Sequence, residues 1–209
     1  MKKENVKEIL SRLKSAYPDA KPELDYSSEF ELLIAAILSA QCTDKQVNRV
    51  TEKLFSVYPE ASSFAAASQD ELEEHIRPCG FYRMKAKNII SASKIIVEKY
   101  EGRVPNTLED LTALPGVGRK VANVVLSNAF GIPAIAVDTH VFRVSNRIGL
   151  AHAKNELNTE KQLMENIPKE LWSIAHHWLI FHGRRACHAR GPKCDTCVLS
   201  GLCERNGME

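Results

Sequence analysis

LTALPGVGRKVANVVLSNAF, running from Leu111 to Phe130, sets the tight turn Pro115-Gly116-Val117-Gly118 between two helical patterns. Glycine accepts positive φ and lets a backbone approach a ligand closely. The second helix is expected to begin near Arg119, with Val121, Val124, Val125 and Ala129 on its buried face. The first N–H groups of a helix have no intrahelical acceptor, so this turn forms an anion site suited to phosphate. A lone G-x-G turn is more often a plain helix connection, and the specific signal is the whole L-P-G-V-G-x-K string. Lys120 falls in the first turn of the second helix, beside Arg119. The helix dipole and the neighbouring cation disfavour an ammonium there, and partial burial would act the same way, leaving a nucleophilic amine. The bland alternative is an exposed lysine touching phosphate.

Outward from this turn the chain reads as helices joined by short connections. Val6, Ile9, Leu10 and Leu13 recur at helical spacing, as in an amphipathic helix rather than a signal segment. Ser28 with Glu31 forms a capping box ahead of FELLIAAIL, apolar all round and so expected at the centre of a core. Thr43 with Gln46, Ser68 with Glu71, Thr107 with Asp110 and Thr159 with Gln162 mark four further helix starts. Val47, Val50, Leu54 and Phe55 follow the second start, and Ala86, Ile89, Ile90, Ala92, Ile96 and Val97 mark a helix between breaks at Pro78–Gly80 and Gly102–Pro105. No alternating strand pattern appears, so the fold class is all-α. Trp172, Trp178 and the His176–His177 pair belong to a packed helix ending at Gly183 and carry no assigned chemistry.

In VDTHVFRVSNRIG, from Val137 to Gly149, Asp138 stands just before a helical pattern carried by Val141, Val144 and Ile148. Its first role is an N-cap. A capped carboxylate is rigid, and facing Lys120 it could stabilise a developing sugar cation or take a proton from the attacking amine.

Cys187, Cys194, Cys197 and Cys203 follow the spacing C-x6-C-x2-C-x5-C, whereas Cys42 and Cys79 stand apart. Four thiolates in so short a loop point to a metal centre rather than disulfides, and spacing alone suits Zn²⁺ and a [4Fe–4S] cluster equally. HARGPK between the first two ligands holds His188, Arg190 and Lys193, a basic knob for the phosphate backbone, with Arg184 and Arg185 extending it upstream. A solvated polar loop is the alternative.

The bulk numbers only bound these readings. In 209 residues, 28 basic and 26 acidic side chains give a net charge of +2, which neither demands nor excludes nucleic acid. The apolar run Leu32–Leu38 is too short to cross a bilayer, so the chain is expected in the cytoplasm without a membrane partner.

LPGVGRK followed by AVDTHVFR resembles the signature of the endonuclease III family, within the helix–hairpin–helix glycosylases. The likeness extends through FELLIAAILSAQCTD, the helix around Lys85–Ile90 and the cysteine tail, nearly the full chain. It implies base-excision repair of oxidised pyrimidines by a combined glycosylase and abasic-site lyase. Lys120 would attack C1′ and expel the base, and the resulting Schiff base would permit β-elimination, with Asp138 as the essential acidic partner. Adenine glycosylases of the group lack that lysine and carry a catalytic glutamate in an early helix, so Lys120 and SAQCTD favour the lyase. The cysteine spacing then implies a structural [4Fe–4S] cluster at Cys187, Cys194, Cys197 and Cys203.

The resemblance also implies DNA contacts by Gly116, Val117, Gly118, Arg119 and Gln41, the last as the residue filling the gap left by a flipped base. Phe81 falls where many relatives place a leucine wedge, and Thr112 where some have glutamate; both depart from the family pattern. An aromatic wedge can still stack between bases. His140, Arg143 and Asp44 are expected near the lesion, with helix-end capping and surface solvation as equal alternatives for all three, and Arg190 and Lys193 are expected on the DNA backbone. A six-helix barrel from roughly Lys21 to Pro133 and an iron–sulfur lobe of residues 1–20 and 134–209 are implied. DNA would cross a cleft between them, where Lys120 and Asp138 meet. The partner implied is double-stranded DNA bearing an oxidised pyrimidine or an abasic site, bound by a monomer at the nucleoid. A monofunctional glycosylase and a non-catalytic, metal-stabilised DNA-binding module remain the alternatives.

Overall fold

The computed structural model describes residues 2–207, and among these every regular element is helical. In chain order the helices are α1 (Lys3–Ala16), α2 (Glu29–Leu38), α3 (Asp44–Val57), α4 (Ala61–Ala66), α5 (Gln69–Ile76) and α6 (Tyr82–Tyr100). They continue as α7 (Leu108–Thr112), α8 (Arg119–Asn128), α9 (Thr139–Ile148), α10 (Glu156–Asn166) and α11 (Trp172–Arg185). Short 3-10 turns cover Arg77–Cys79, Lys169–Leu171 and Cys194–Thr196. No described helix is long and apolar enough to cross a membrane.

The chain divides into two compact units, one of Pro22–Gly131 and one joining the residues up to Lys21 to those from Ile132 on. At the centre of the first lies α2, with Phe30 and every residue from Leu32 to Leu38 buried. It touches α3, α6 and α8, which is why its sequence shows no polar face. Ser28 accepts the N–H of Glu31 at 3.2 Å. The reciprocal half of the expected capping box is displaced: the Glu31 carboxylate accepts from Ser27 N and Oγ, at 2.6 and 2.7 Å. Thr43 and Thr107 cap α3 and α7 as the sequence suggests. Ser68 occupies the N-cap of α5, but its side chain makes no cap bond.

Other expectations shift. The short helix α4 was not anticipated; its Phe64 is fully buried and meets Phe30 edge-on at 5.5 Å. On α8 the buried face is Ala122, Asn123, Val125, Leu126 and Ser127, while Val121, Val124 and Ala129 are half-buried. Contact with both α2 and α7 turns that helix. Val97 of α6 is exposed.

In the second unit Val6, Ile9, Leu10 and Leu13 of α1 join a core with Val141, Val144 and Ile148 of α9, Ala175, Trp178 and Leu179 of α11, and Leu199. Full burial of such a side chain is worth about 1.5–3 kcal/mol, so α1 is held by its apolar stripe. Helix α10 begins at Asn155, whose side chain accepts Asn158 N at 2.9 Å. The expected start at Thr159 lies one turn too late: Thr159 is buried inside the helix and donates to Asn155 O. Helix α11 runs past Gly183 to Arg185.

Candidate active site

Leu114 and Val117 anchor the turn between α7 and α8; both are buried, and Val117 N donates to Leu114 O at 3.1 Å. Val117 is thus part of the turn's own framework. The two glycines differ. Gly116 has φ +80, and a Cβ there would lie 2.9 Å from Asn88 Cβ on α6. Gly118 has φ −83 as the N-cap of α8, and a Cβ there would meet nothing within 4 Å. The fold therefore requires glycine at 116 but not at 118. Arg119 and Lys120 follow, both exposed. The expected partial burial of Lys120 does not hold; its amine stands in solvent at the start of α8.

Asp138 is half-buried at the N-cap of α9, where its carboxylate accepts Val141 N at 2.8 Å. His177 of α11 lies within its electrostatic reach and is pushed down to about 4, chiefly by burial, which Asp138 partly opposes. His140 faces Arg143, Nδ1 to Nη2 at 3.2 Å. Arg143 donates to Gly183 O at 3.0 Å and Cys187 O at 2.9 Å, so its guanidinium ties α9 to the end of α11. A side chain at Gly183 would press on both, 3.0 Å from His140 Nδ1 and 3.1 Å from Arg143 Nη2.

The C-terminal cysteines share one neighbourhood. Burial pushes the Cys197 and Cys203 thiols up, and Cys187 and Cys194 add to the effect on each. Their sulfurs meet donors: Leu199 N and Arg205 N lie 3.4 Å from Cys197 and Cys203, and Arg147 Nη1 lies 3.6 Å from Cys187. Arg147 also donates to His188 O at 2.6 Å and Ala189 O at 3.0 Å, which fixes the loop after the first cysteine. Within that loop Arg190 and Lys193 are exposed. Arg185, expected to extend the basic patch, instead pairs with Asp19 at 2.6 Å and lies over Phe181, so it adds little net charge.

Residues 34–169 match the HhH-GPD superfamily base excision DNA repair protein family. The chain is 51% identical to endonuclease III of Bacillus subtilis over 98% of its own length and 95% of that protein's. It is 48% identical to endonuclease III of Escherichia coli, over 94% and 93% of the two chains. The chain belongs to the endonuclease III family. A solved endonuclease III trapped as a covalent intermediate with DNA, in an estranged-adenine complex, superposes with a TM-score of 0.93. It is 49% identical, covering 98% of this chain and 97% of that one. Membership of the endonuclease III family makes this protein a base-excision DNA repair enzyme, a glycosylase and abasic-site lyase.

Two residues singled out by the endonuclease III resemblance share an unusual backbone. Gln41, in the turn after α2, has φ +53, and Phe81, the N-cap of α6, has φ +46. Both side chains are exposed, Phe81 by 66%. Asp44 occupies the first turn of α3, and Thr112 is exposed at the end of α7, bonded to its own helix. Sequence reasoning overlooked Arg147 and Lys85. Lys85 falls on the apolar stripe Ile89, Ala92 and Ile96, and a cation on such a stripe was the available signal.

Proposed function

We propose that Lys120 is the nucleophile and Asp138 its acidic partner in excising oxidised pyrimidines from double-stranded DNA and cleaving the abasic strand. The observation that carries this reading is the exposed amine of Lys120 in the first turn of α8, directly after the Pro115–Gly118 turn. A phosphate held at that helix start brings a sugar near the amine. Lys120 Nζ attacks C1′ as the glycosidic bond breaks, and the base leaves with a proton. The amine's proton is lost and the ring opens to a protonated Schiff base; removal of a C2′ proton then expels the 3′ phosphate. Asp138, held by its cap bond, balances the cation that develops on the sugar. Because Lys120 is exposed in the free protein, the extruded nucleotide supplies the desolvation that an amine nucleophile needs.

Gly118 and Gly116 separate binding from folding. Gly118→Ser keeps a good N-cap but puts a side chain where the fold leaves open space, so its thermal midpoint should be retained. Loss of a close phosphate contact is expected to weaken duplex binding about tenfold, read by fluorescence anisotropy. Gly116→Ala is expected to destabilise by about 1–3 kcal/mol, from positive φ and the contact with Asn88, read by thermal denaturation. An unchanged affinity in Gly118→Ser argues against phosphate docking at the turn.

Cys187, Cys194, Cys197 and Cys203 would hold the [4Fe–4S] cluster. Among the described residues no three candidate ligands converge closely enough for a single metal ion, although the four thiols act on one another. N–H donors at the sulfurs of Cys187, Cys197 and Cys203 suit thiolate ligation, and the C-x6-C-x2-C-x5-C spacing, which resembles that of the endonuclease III family, favours an iron–sulfur cluster over zinc. When bound, the cluster supplies folding energy to the tail by gathering its four thiolates. Cys203→Ser is expected to lose iron and the brown absorbance, and to lower the thermal midpoint by about 10 °C. A colourless wild-type protein with stoichiometric zinc overturns the assignment.

In this reading Pro22–Gly131 is the helix–hairpin–helix barrel, the discontinuous unit is the iron–sulfur domain, and the enzyme works as a monomer on cytoplasmic DNA. Arg190 and Lys193, exposed on the cysteine loop, contact the DNA backbone. A nicking assay on labelled thymine-glycol duplex tests the whole. The lyase cuts the strand directly, a monofunctional glycosylase cuts only after alkali, and a binding module does neither.

A further inference from the structure

Lys85, on α6, is 5% exposed, and its charge has no role in the chemistry above. Its ammonium donates to three carbonyls, those of Leu38, Ala40 and Cys79, each at 2.8 Å. Leu38 ends α2, Ala40 lies in the following turn, and Cys79 ends the 3-10 turn before α6. Helix ends leave such carbonyls without partners and carry the negative pole of the dipole. An ammonium has three donors, so one buried cation is matched to three acceptors drawn from two turns. The Cys79 thiol beside it is pushed up to about 12, by burial first and then by neighbouring Cys42, and stays uncharged.

What those two turns carry gives the arrangement its meaning. The residue after Ala40 is Gln41, and two residues after Cys79 comes Phe81. Both hold a left-handed backbone that L-residues adopt reluctantly, and both turn their side chains to solvent. Strain of this kind persists where surrounding structure enforces it. Lys85 is a common anchor for both turns and so sets the spacing between the two exposed side chains.

We propose that Lys85 is a positioning residue for base extrusion, clipping the Gln41 turn to the Phe81 turn so that both side chains enter the stack as one rigid wedge. This rests on Gln41 and Phe81 being the inserting residues. Opening a duplex costs unstacking and unpairing, and a pre-set wedge offsets that cost better than one that must be ordered on binding. Lys85 thus matters most where the lesion is still paired, and least where the helix is already open.

The test uses the full-length, cluster-loaded enzyme with thymine glycol in two settings, a fully paired duplex and an unpaired bubble. Lys85→Met is expected to lose about tenfold or more in single-turnover excision from the duplex. In the bubble, where extrusion is cheap, it should stay within about twofold of wild type. Gln41→Ala and Phe81→Ala should show the same selective loss. Equal losses of Lys85→Met on both substrates, or none on either, overturn the proposal while the wedge variants behave as stated. If Gln41→Ala and Phe81→Ala show no selective loss, the wedge reading itself fails and the proposal falls with it. Should Lys85→Met not fold by circular dichroism, Lys85→Arg carries the test. Its planar fork keeps the charge but cannot converge on three carbonyls, so a smaller loss confined to the duplex is expected, and an equal loss on both substrates refutes the role.

Discussion

Lys120→Gln is expected to abolish borohydride trapping on thymine-glycol and abasic duplexes and to lower strand scission by about 10⁴-fold or more. Glutamine approximates the lysine stem but has no amine to form a Schiff base, so the covalent route closes at its first step. Because the Lys120 side chain is exposed, the substitution removes no core packing, and thermal stability should be unchanged. The Pro115–Gly118 turn is intact in the variant, so duplex binding should survive within a few-fold, by the small weight of any one phosphate contact. Binding without trapping is the pattern sought. Trapping by Lys120→Gln equal to wild type would assign the nucleophile elsewhere.

Asp138→Asn separates two roles that share one side chain. Asparagine is as good an N-cap as aspartate, so the bond to Val141 N and the start of α9 should persist. The negative charge does not. Turnover is expected to fall by about 10²–10³-fold, through lost electrostatic stabilisation and proton transfer, with the thermal midpoint within about 1 °C of wild type. Asp138→Ala should add about 1 kcal/mol of instability from the lost cap. If Asp138→Asn keeps full single-turnover rates, the carboxylate is a cap and nothing more.

The sequence made the framework legible where one period or one motif dominated. The stripe on α1, the apolar α2 and the caps at Ser28, Thr43 and Thr107 could be read because local chemistry and tertiary packing agree there. Lys120 and Asp138 were picked out by their motif context, at the starts of two helices. Local signals failed where packing decided. The helix α4 is made of alanine, serine and one phenylalanine, too short for a period. Thr159 mimics a cap, yet the true start is Asn155. The pairing of Arg185 with Asp19 and the Leu38 and Ala40 carbonyls on Lys85 depend on residues distant in the chain, which no spacing rule reaches.

The discontinuous unit carries a consequence for biosynthesis. Its core needs α1, which leaves the ribosome before the inserted unit, and α11 with Leu199, which leave after it. The inserted unit Pro22–Gly131 is complete while the nascent chain still lacks its cysteine loop, whereas α1 must wait with its apolar stripe unsatisfied. Closing that long loop is an entropic step taken late. A product terminated before α11 would contain Lys120 and the whole inserted unit but have no second core into which α1 could dock.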